Sequence, residues 1–249
     1  MLDLSWFDHF MHCLFTLVAC WTPGENFDYN TSTQTMGCFI SGVFQLFPNT
    51  AIRQHGNLFM QMDPSVVYTL TDAIPRWFRV FPKYLEIMQN DPEGFFDICL
   101  QTTDSLFNWL YLFKVYITHT LNKQGHYLEL PTLNALKSQY DPKTITKTDW
   151  GRPTWYVIHT TALFCPGGHD HFKVFHDMLH CLQYVLPCPK CRAHLSQNLQ
   201  YIDFSNCGGH TNSNYNVELF KCTWNLHNIV NKSIDKSIMS FKDALRIYS

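Results

Sequence analysis

Between Phe95 and Asn122 the apolar side chains Phe96, Leu100, Phe107, Leu110, Phe113, Ile117 and Leu121 fall near one helical stripe. A stripe of period 3.6 sustained that long belongs to a helix facing a core and cannot be used by a strand. Gly125 follows where a helix end wants a left-handed residue. Residues 4–20 repeat the pattern and stop at Pro23-Gly24; Asp63-Pro64 opens a helix through Leu70. Short segments at 76–81 and 83–89 lie between Pro75, Pro82 and Pro92. The polar run Asn26–Thr35 reads as a loop, and residues 36–62 are ambiguous, with a turn at Pro48-Asn49. Strand-like alternation is scarce, so the expected class is all-α.

Residues 125–148, with Pro131 and Asp141-Pro142, read as a connector, dividing the chain into a helical module at 1–140 and a second at 145–249. In the second, Thr148 or Asp149 is expected to cap a helix from Trp150, with Pro153 tolerated in its first turn. That helix reaches Phe164 and breaks at Pro166-Gly167-Gly168. Helices over 171–185, 188–199 and 217–233 complete a four-helix bundle, and a short segment at 240–248 follows.

Composition removes several function classes. A net charge of -2 with scattered Lys and Arg predicts no nucleic-acid binding. Aromatics at 16% and charged residues at 15% suit a compact chain rather than a disordered one. No apolar run reaches the roughly 18 residues of a membrane span. The first twelve residues hold Asp3 and Asp8 and no Lys or Arg, so no signal peptide is expected.

Of the ten cysteines, Cys165, Cys181, Cys188, Cys191, Cys207 and Cys222 crowd into the second module. Cys188-Pro189-Lys190-Cys191 is a CxxC at a helix start, which can be a reducible disulfide or supply two metal ligands. Cys188, Cys191, Cys207 and His210 have zinc-like spacing, and Cys165 with Cys181 could form a bridge. Around the CxxC, Trp155 and His159 share one helix face, as do His227 and Asn231, with Asn228 beside them. Such side chains offer stacking surface and hydrogen bonds to a flat, heteroatom-rich ligand, and no nucleophilic triad.

Taken in order, Trp150-Gly151-Arg152-Pro153-Thr154-Trp155-Tyr156-Val157-Ile158-His159, then Pro187-Cys188-Pro189-Lys190-Cys191, then His227-Asn228-Ile229-Val230-Asn231 resembles the Erv/ALR family of FAD-dependent sulfhydryl oxidases. The resemblance covers about residues 148–249. It implies an Erv-like four-helix bundle holding FAD, with Cys191 flavin-proximal, forming a thiolate adduct or charge-transfer complex, and Cys188 exchanging with substrate thiols. Arg152, Thr154, Trp155, His159, His227, Asn228, Val230, Asn231 and Lys236 match as FAD contacts, and no metal is implied. It further implies protein thiol substrates, O2 as electron acceptor and H2O2 as product. Asp235 departs from the family's usual Gly, Cys222 stands where an aromatic is usual, and no cysteine follows Cys222 to form the family's later structural disulfide. No second CxxC or CxC offers a shuttle pair.

Leu106–Thr118 can be laid on Leu219–Asn231, with Lys114, Val115 and Thr118 in place of His227, Asn228 and Asn231. Similarly Phe81-Pro82-Lys83 falls on Leu186-Pro187-Cys188, with Glu86 at Cys191. The first module then reads as a degenerate, flavin-less Erv-like copy; the alternative is a chance alignment of aromatic helices. A degenerate module before an active one resembles the sulfhydryl oxidases of baculoviruses and related insect viruses. That implies a homodimer acting in the host cytoplasm or nucleus, or with the virion.

Overall fold

The computed structural model describes residues 4–202, 204 and 215–249. Every regular element among them is a helix. The first half holds α1 (Ser5–Ala19), α2 (Tyr29–Gln45), α3 (Thr50–Met60), α4 (Pro64–Ala73), α5 (Pro75–Val80), α6 (Pro82–Asn90), α7 (Phe95–Cys99), α8 (Thr103–Lys123) and α9 (Leu133–Gln139). The second holds α10 (Lys147–Leu163), α11 (His169–Val185), α12 (Pro189–Leu199), α13 (Tyr215–Ser233) and α14 (Phe241–Tyr248). Prolines open α4, α5, α6 and α12, where a first-turn N–H has no helical partner to lose. None of these helices is long and apolar enough to cross a membrane.

Three sequence expectations are corrected. The polar run expected as a loop lies mostly in α2: Asp28 caps it by accepting from Thr31 N at 2.9 Å. The Thr33 and Thr35 hydroxyls donate one turn back, to Tyr29 O at 3.0 Å and Thr31 O at 2.7 Å. The long stripe from Phe95 is broken into α7 and α8, because Thr102 is extended and its hydroxyl accepts from Ser105 N at 3.1 Å.

The third correction is at α10, which starts at Lys147 and not Trp150. Its N-cap is Thr146, whose backbone N–H donates to the Asp149 carboxylate at 2.6 Å. Pro153 therefore sits inside the helix and cannot donate to the Asp149 carbonyl one turn back. His12 of α1 supplies that bond from Nε2 at 3.0 Å. A carbonyl only accepts, so Nε2 carries the proton and Nδ1 accepts from the Tyr140 hydroxyl at 3.0 Å. A break in one helix is thus repaired by a side chain from the other half.

The halves meet through α1 on α10 and α2 on α11, while α8 packs on α1 and α13 on α10. Buried side chains from Trp6 to Tyr248 form one cluster spanning both. At Gly42 the helices α2 and α11 come so close that a Cβ would lie 2.7 Å from Met178 Cβ, so only glycine fits without displacement.

Two corners in the two halves are built alike. Phe47-Pro48-Asn49 leads into α3, and Leu186-Pro187-Cys188 leads into α12. Asn49 Oδ1 accepts from Ile52 N at 3.1 Å; Cys188 Sγ accepts from Cys191 N at 3.2 Å. Arg53 donates to Phe47 O at 3.0 Å, and Arg192 donates to Leu186 O at 2.7 Å. The alignment of Phe81-Pro82-Lys83 with the CxxC corner has no such counterpart, since Phe81 caps α6 without a side-chain bond. Of the two proline corners in the first half, the one at Pro48 shares these contacts with the corner at Pro187.

Candidate functional site

Cys188 and Cys191 are joined in a disulfide with Cα atoms 5.1 Å apart. Cys188 is the N-cap of α12, so its sulfur faces the helix's free N–H groups. On reduction those dipoles favour a thiolate, the form that undergoes exchange. Arg192 is buried, and its bond to Leu186 O holds the chain entering the dithiol. The Arg192 guanidinium lies 5.6 Å from the Phe27 ring centroid, so the α1–α2 connection of the first half flanks this corner.

α10 and α13 pack together, and α13 also packs on α12. Across the first of these contacts Trp155 lies on His227, with ring centroids 4.0 Å apart and planes 5° from parallel. His159 is buried beside them, with Nε2 2.9 Å from His227 Nδ1 and Nδ1 2.9 Å from Thr223 Oγ1. The direction of these bonds follows from the end of the chain. Thr223 Oγ1 donates to Phe220 O at 2.8 Å, so it must accept from His159 Nδ1–H. Neutral His159 then accepts at Nε2 from His227 Nδ1–H, and His227 Nε2 remains an acceptor. Burial holds His159 well below the usual imidazole value, with His227 as the lesser cause. Burial also pushes His227 down to about 4, helped by the charge of Lys236. Both rings are neutral at pH 7.

Other expected residues are placed unevenly. Arg152 is exposed, and its charge reaches Tyr248, whose ring lies 4.4 Å from His159. Thr154 faces away, donating to Trp150 O at 2.6 Å and contacting Cys13 Sγ of α1 at 3.6 Å. Asn228 clamps the segment before α14: Nδ2 donates to Met239 O and Oδ1 accepts from Met239 N, both at 3.0 Å. Val230 is half-buried and Asn231 buried; the Asn231 carbonyl accepts from Lys236 N at 2.9 Å, and the Lys236 side chain is exposed. Asp235, at φ +54°, occupies the left-handed position where the family's glycine is expected.

Sequence reasoning missed Thr223 and Tyr248. Thr223 lies one helical turn before His227, a signal that could have found it; nothing local marks Tyr248. The Cys165–Cys181 bridge that the sequence allowed is not formed, and the Cys181 thiol interacts instead with Cys38 of α2. Cys222 is in a disulfide.

The stacked rings suit a flat, uncharged heterocycle, and the cations Arg152 and Lys236 beside them suit anionic phosphates. That combination fits FAD. Zinc would need Cys188 and Cys191 as separate thiolates, and here they are bonded to each other; the other two residues of that set, Cys207 and His210, lie outside the described residues. No group of three or more His, Cys, Asp or Glu among the described residues could hold a metal ion.

Comparison with known proteins agrees with this geometry. Residues 152–248 match the model of the Erv1 / Alr family. A "FAD-linked sulfhydryl oxidase" of African swine fever virus (isolate Tick/Malawi/Lil 20-1/1983) is 30% identical over 103 residues, covering 40% of this chain and 79% of that protein. Its counterpart from isolate Warthog/Namibia/Wart80/1980 is 29% identical over the same length. No solved structure matches the chain significantly. The matched segment runs from α10 to α14 and contains the dithiol, the Trp155–His227 stack and the His159 proton chain, and on these grounds the chain belongs to the Erv1/Alr family.

Proposed function

We propose that this chain is an FAD-dependent sulfhydryl oxidase that makes disulfide bonds in protein substrates and delivers the electrons to O2, giving H2O2. The observation that carries the reading is the neutral Trp155–His227–His159 array, rimmed by Arg152 and Lys236. It stands on α10 and α13, and α13 packs on the disulfide-bearing α12.

In the proposed reaction a substrate thiolate attacks Cys188 Sγ. The Cys188–Cys191 bond breaks, and Cys191 leaves as a thiolate. A second substrate thiol loses its proton and attacks the mixed disulfide, releasing Cys188 and closing the substrate bond. Two electrons then rest on the reduced pair. FAD, when bound, supplies a two-electron acceptor that can be reoxidised by oxygen. Trp155 and His227 give the ring system a stacking face, the fixed protonation of His159 and His227 orients hydrogen-bond partners, and Arg152 and Lys236 offset phosphate charge. Asn228 acts by fixing the 233–240 segment that carries Lys236. Val230 and Asn231 shape that end of α13, and Thr154 holds α10 against α1.

The alike corners at Pro48 and Pro187 support reading the first half as a flavin-less copy of the oxidase bundle, with Asn49 and Ile52 where the cysteines stand. A homodimer acting in the host cytoplasm or nucleus belongs to the same proposal, and sedimentation of the purified chain tests the dimer. For the chemistry, oxygen uptake and peroxide are measured with a reduced protein substrate. One H2O2 per disulfide formed is expected. Thiol loss without oxygen uptake contradicts the reading. A Cys191→Ala variant, with Cys188 left to hold partners as mixed disulfides, identifies the substrates.

A further inference from the structure

Helices α2 and α11 run antiparallel across the junction of the halves. Gly42 sits against Met178; one turn back along α2 and three residues on along α11, Cys38 stands opposite Cys181, and each thiol perturbs the other. A Cβ on Gly42 would lie 3.6 Å from Met178 Cα, so the backbones nearly touch one turn away. A disulfide needs Cα atoms about 4.4–6.8 Å apart, a separation that helices packed this closely can supply. Cys38 is exposed and Cys181 buried. We propose that Cys38 and Cys181 are a second redox-active dithiol, which closes into a disulfide joining α2 of the first half to α11 of the second.

The two thiols are unequal in the way such a pair requires. The Cys181 thiol opposite brings Cys38 down to about 7, with Lys173 lowering it further and burial and Asp177 opposing. The same interaction, together with burial, keeps Cys181 protonated. An accessible thiolate with a protonated neighbour is an attacking and resolving pair. Cys38 thiolate attacks one sulfur of an incoming disulfide, forming a mixed disulfide and releasing one thiolate. Cys181 then loses its proton and attacks Cys38 Sγ, forming the Cys38–Cys181 bond and releasing the second thiol. One dithiol is oxidised and one external disulfide is reduced to two thiols. The oxidant can be a small disulfide or Cys188–Cys191 of another molecule, so the proposal does not rest on the flavin reading. Because α11 leads through Leu186 and Pro187 to Cys188, closure fixes the helix from which the dithiol corner projects.

The full-length chain is reduced, equilibrated with glutathione buffers of stepped ratio, alkylated and mapped by peptide mass. A Cys38–Cys181 linked peptide is expected as the oxidised fraction rises, absent in Cys38→Ser, with a thermal midpoint a few degrees higher in the closed form. The state of Cys188–Cys191 in the same samples is an internal reference. Two results overturn the proposal: a lasting glutathione adduct on Cys38 with Cys181 still alkylatable, or both thiols alkylated at every ratio that oxidises Cys188–Cys191.

Discussion

His227 donates its Nδ1 proton to Nε2 of His159 across 2.9 Å, and the pair has room for one proton there and not two. Protonating His159 at Nε2 sets N–H against N–H, and protonating His227 at its free Nε2 places a charge in a buried array beside Lys236. The unfolded rings titrate near the ordinary 6.5, whereas folded His227 titrates at about 4. Their contribution is therefore fully present above pH 6.5 and is lost as pH falls from 6.5 toward 4, where only the unfolded chain binds the proton. For His227 alone the loss is about 3 kcal/mol across that window. Urea unfolding at pH 7 and pH 4.5 measures it, and His227→Gln should flatten the slope; an unchanged slope in that variant refutes the assignment.

His12 bonds the carbonyl that Pro153 leaves without a helical donor. His12→Ala should destabilise the chain by about 1–3 kcal/mol, because the Asp149 carbonyl and the Tyr140 hydroxyl both lose a partner. Chemical denaturation reads the difference. A neutral result would mean that water replaces His12 at no cost.

Asp235 holds a left-handed backbone, at φ +54°, in the turn that sets Lys236. Asp235→Gly should raise stability by about 0.5–1 kcal/mol, a thermal shift of about 2 °C. A fall in the thermal midpoint would show that the aspartate side chain contributes more than its backbone strain costs.

Much of the site was legible because its signals are short-range. Cys188 and Cys191 are three apart; Trp155 with His159, and His227 with Asn231, are one helical turn apart, and helical spacing alone groups each pair. The carbonyl partners were not legible. His12 and Tyr140 approach α10 from positions that no local pattern connects, and this long-range repair is why Pro153 could lie deep in the helix rather than at its start. Thr33 and Thr35 suggested a loop because hydroxyls compete for backbone bonds, yet here they bond within the helix they were expected to interrupt. Asn228 also holds Met239 with both ends of its amide, a role that no local pattern signals.

Electron transfer from the dithiol to a bound flavin is tested by an anaerobic titration of the purified chain with dithiothreitol, followed by its visible spectrum, in the wild type and in Cys191→Ser. A yellow protein with about one FAD per chain is expected, its flavin band bleaching in the wild type and persisting in the variant while FAD stays bound. A colourless protein that takes up no FAD on reconstitution, or equal bleaching in Cys191→Ser, would contradict it.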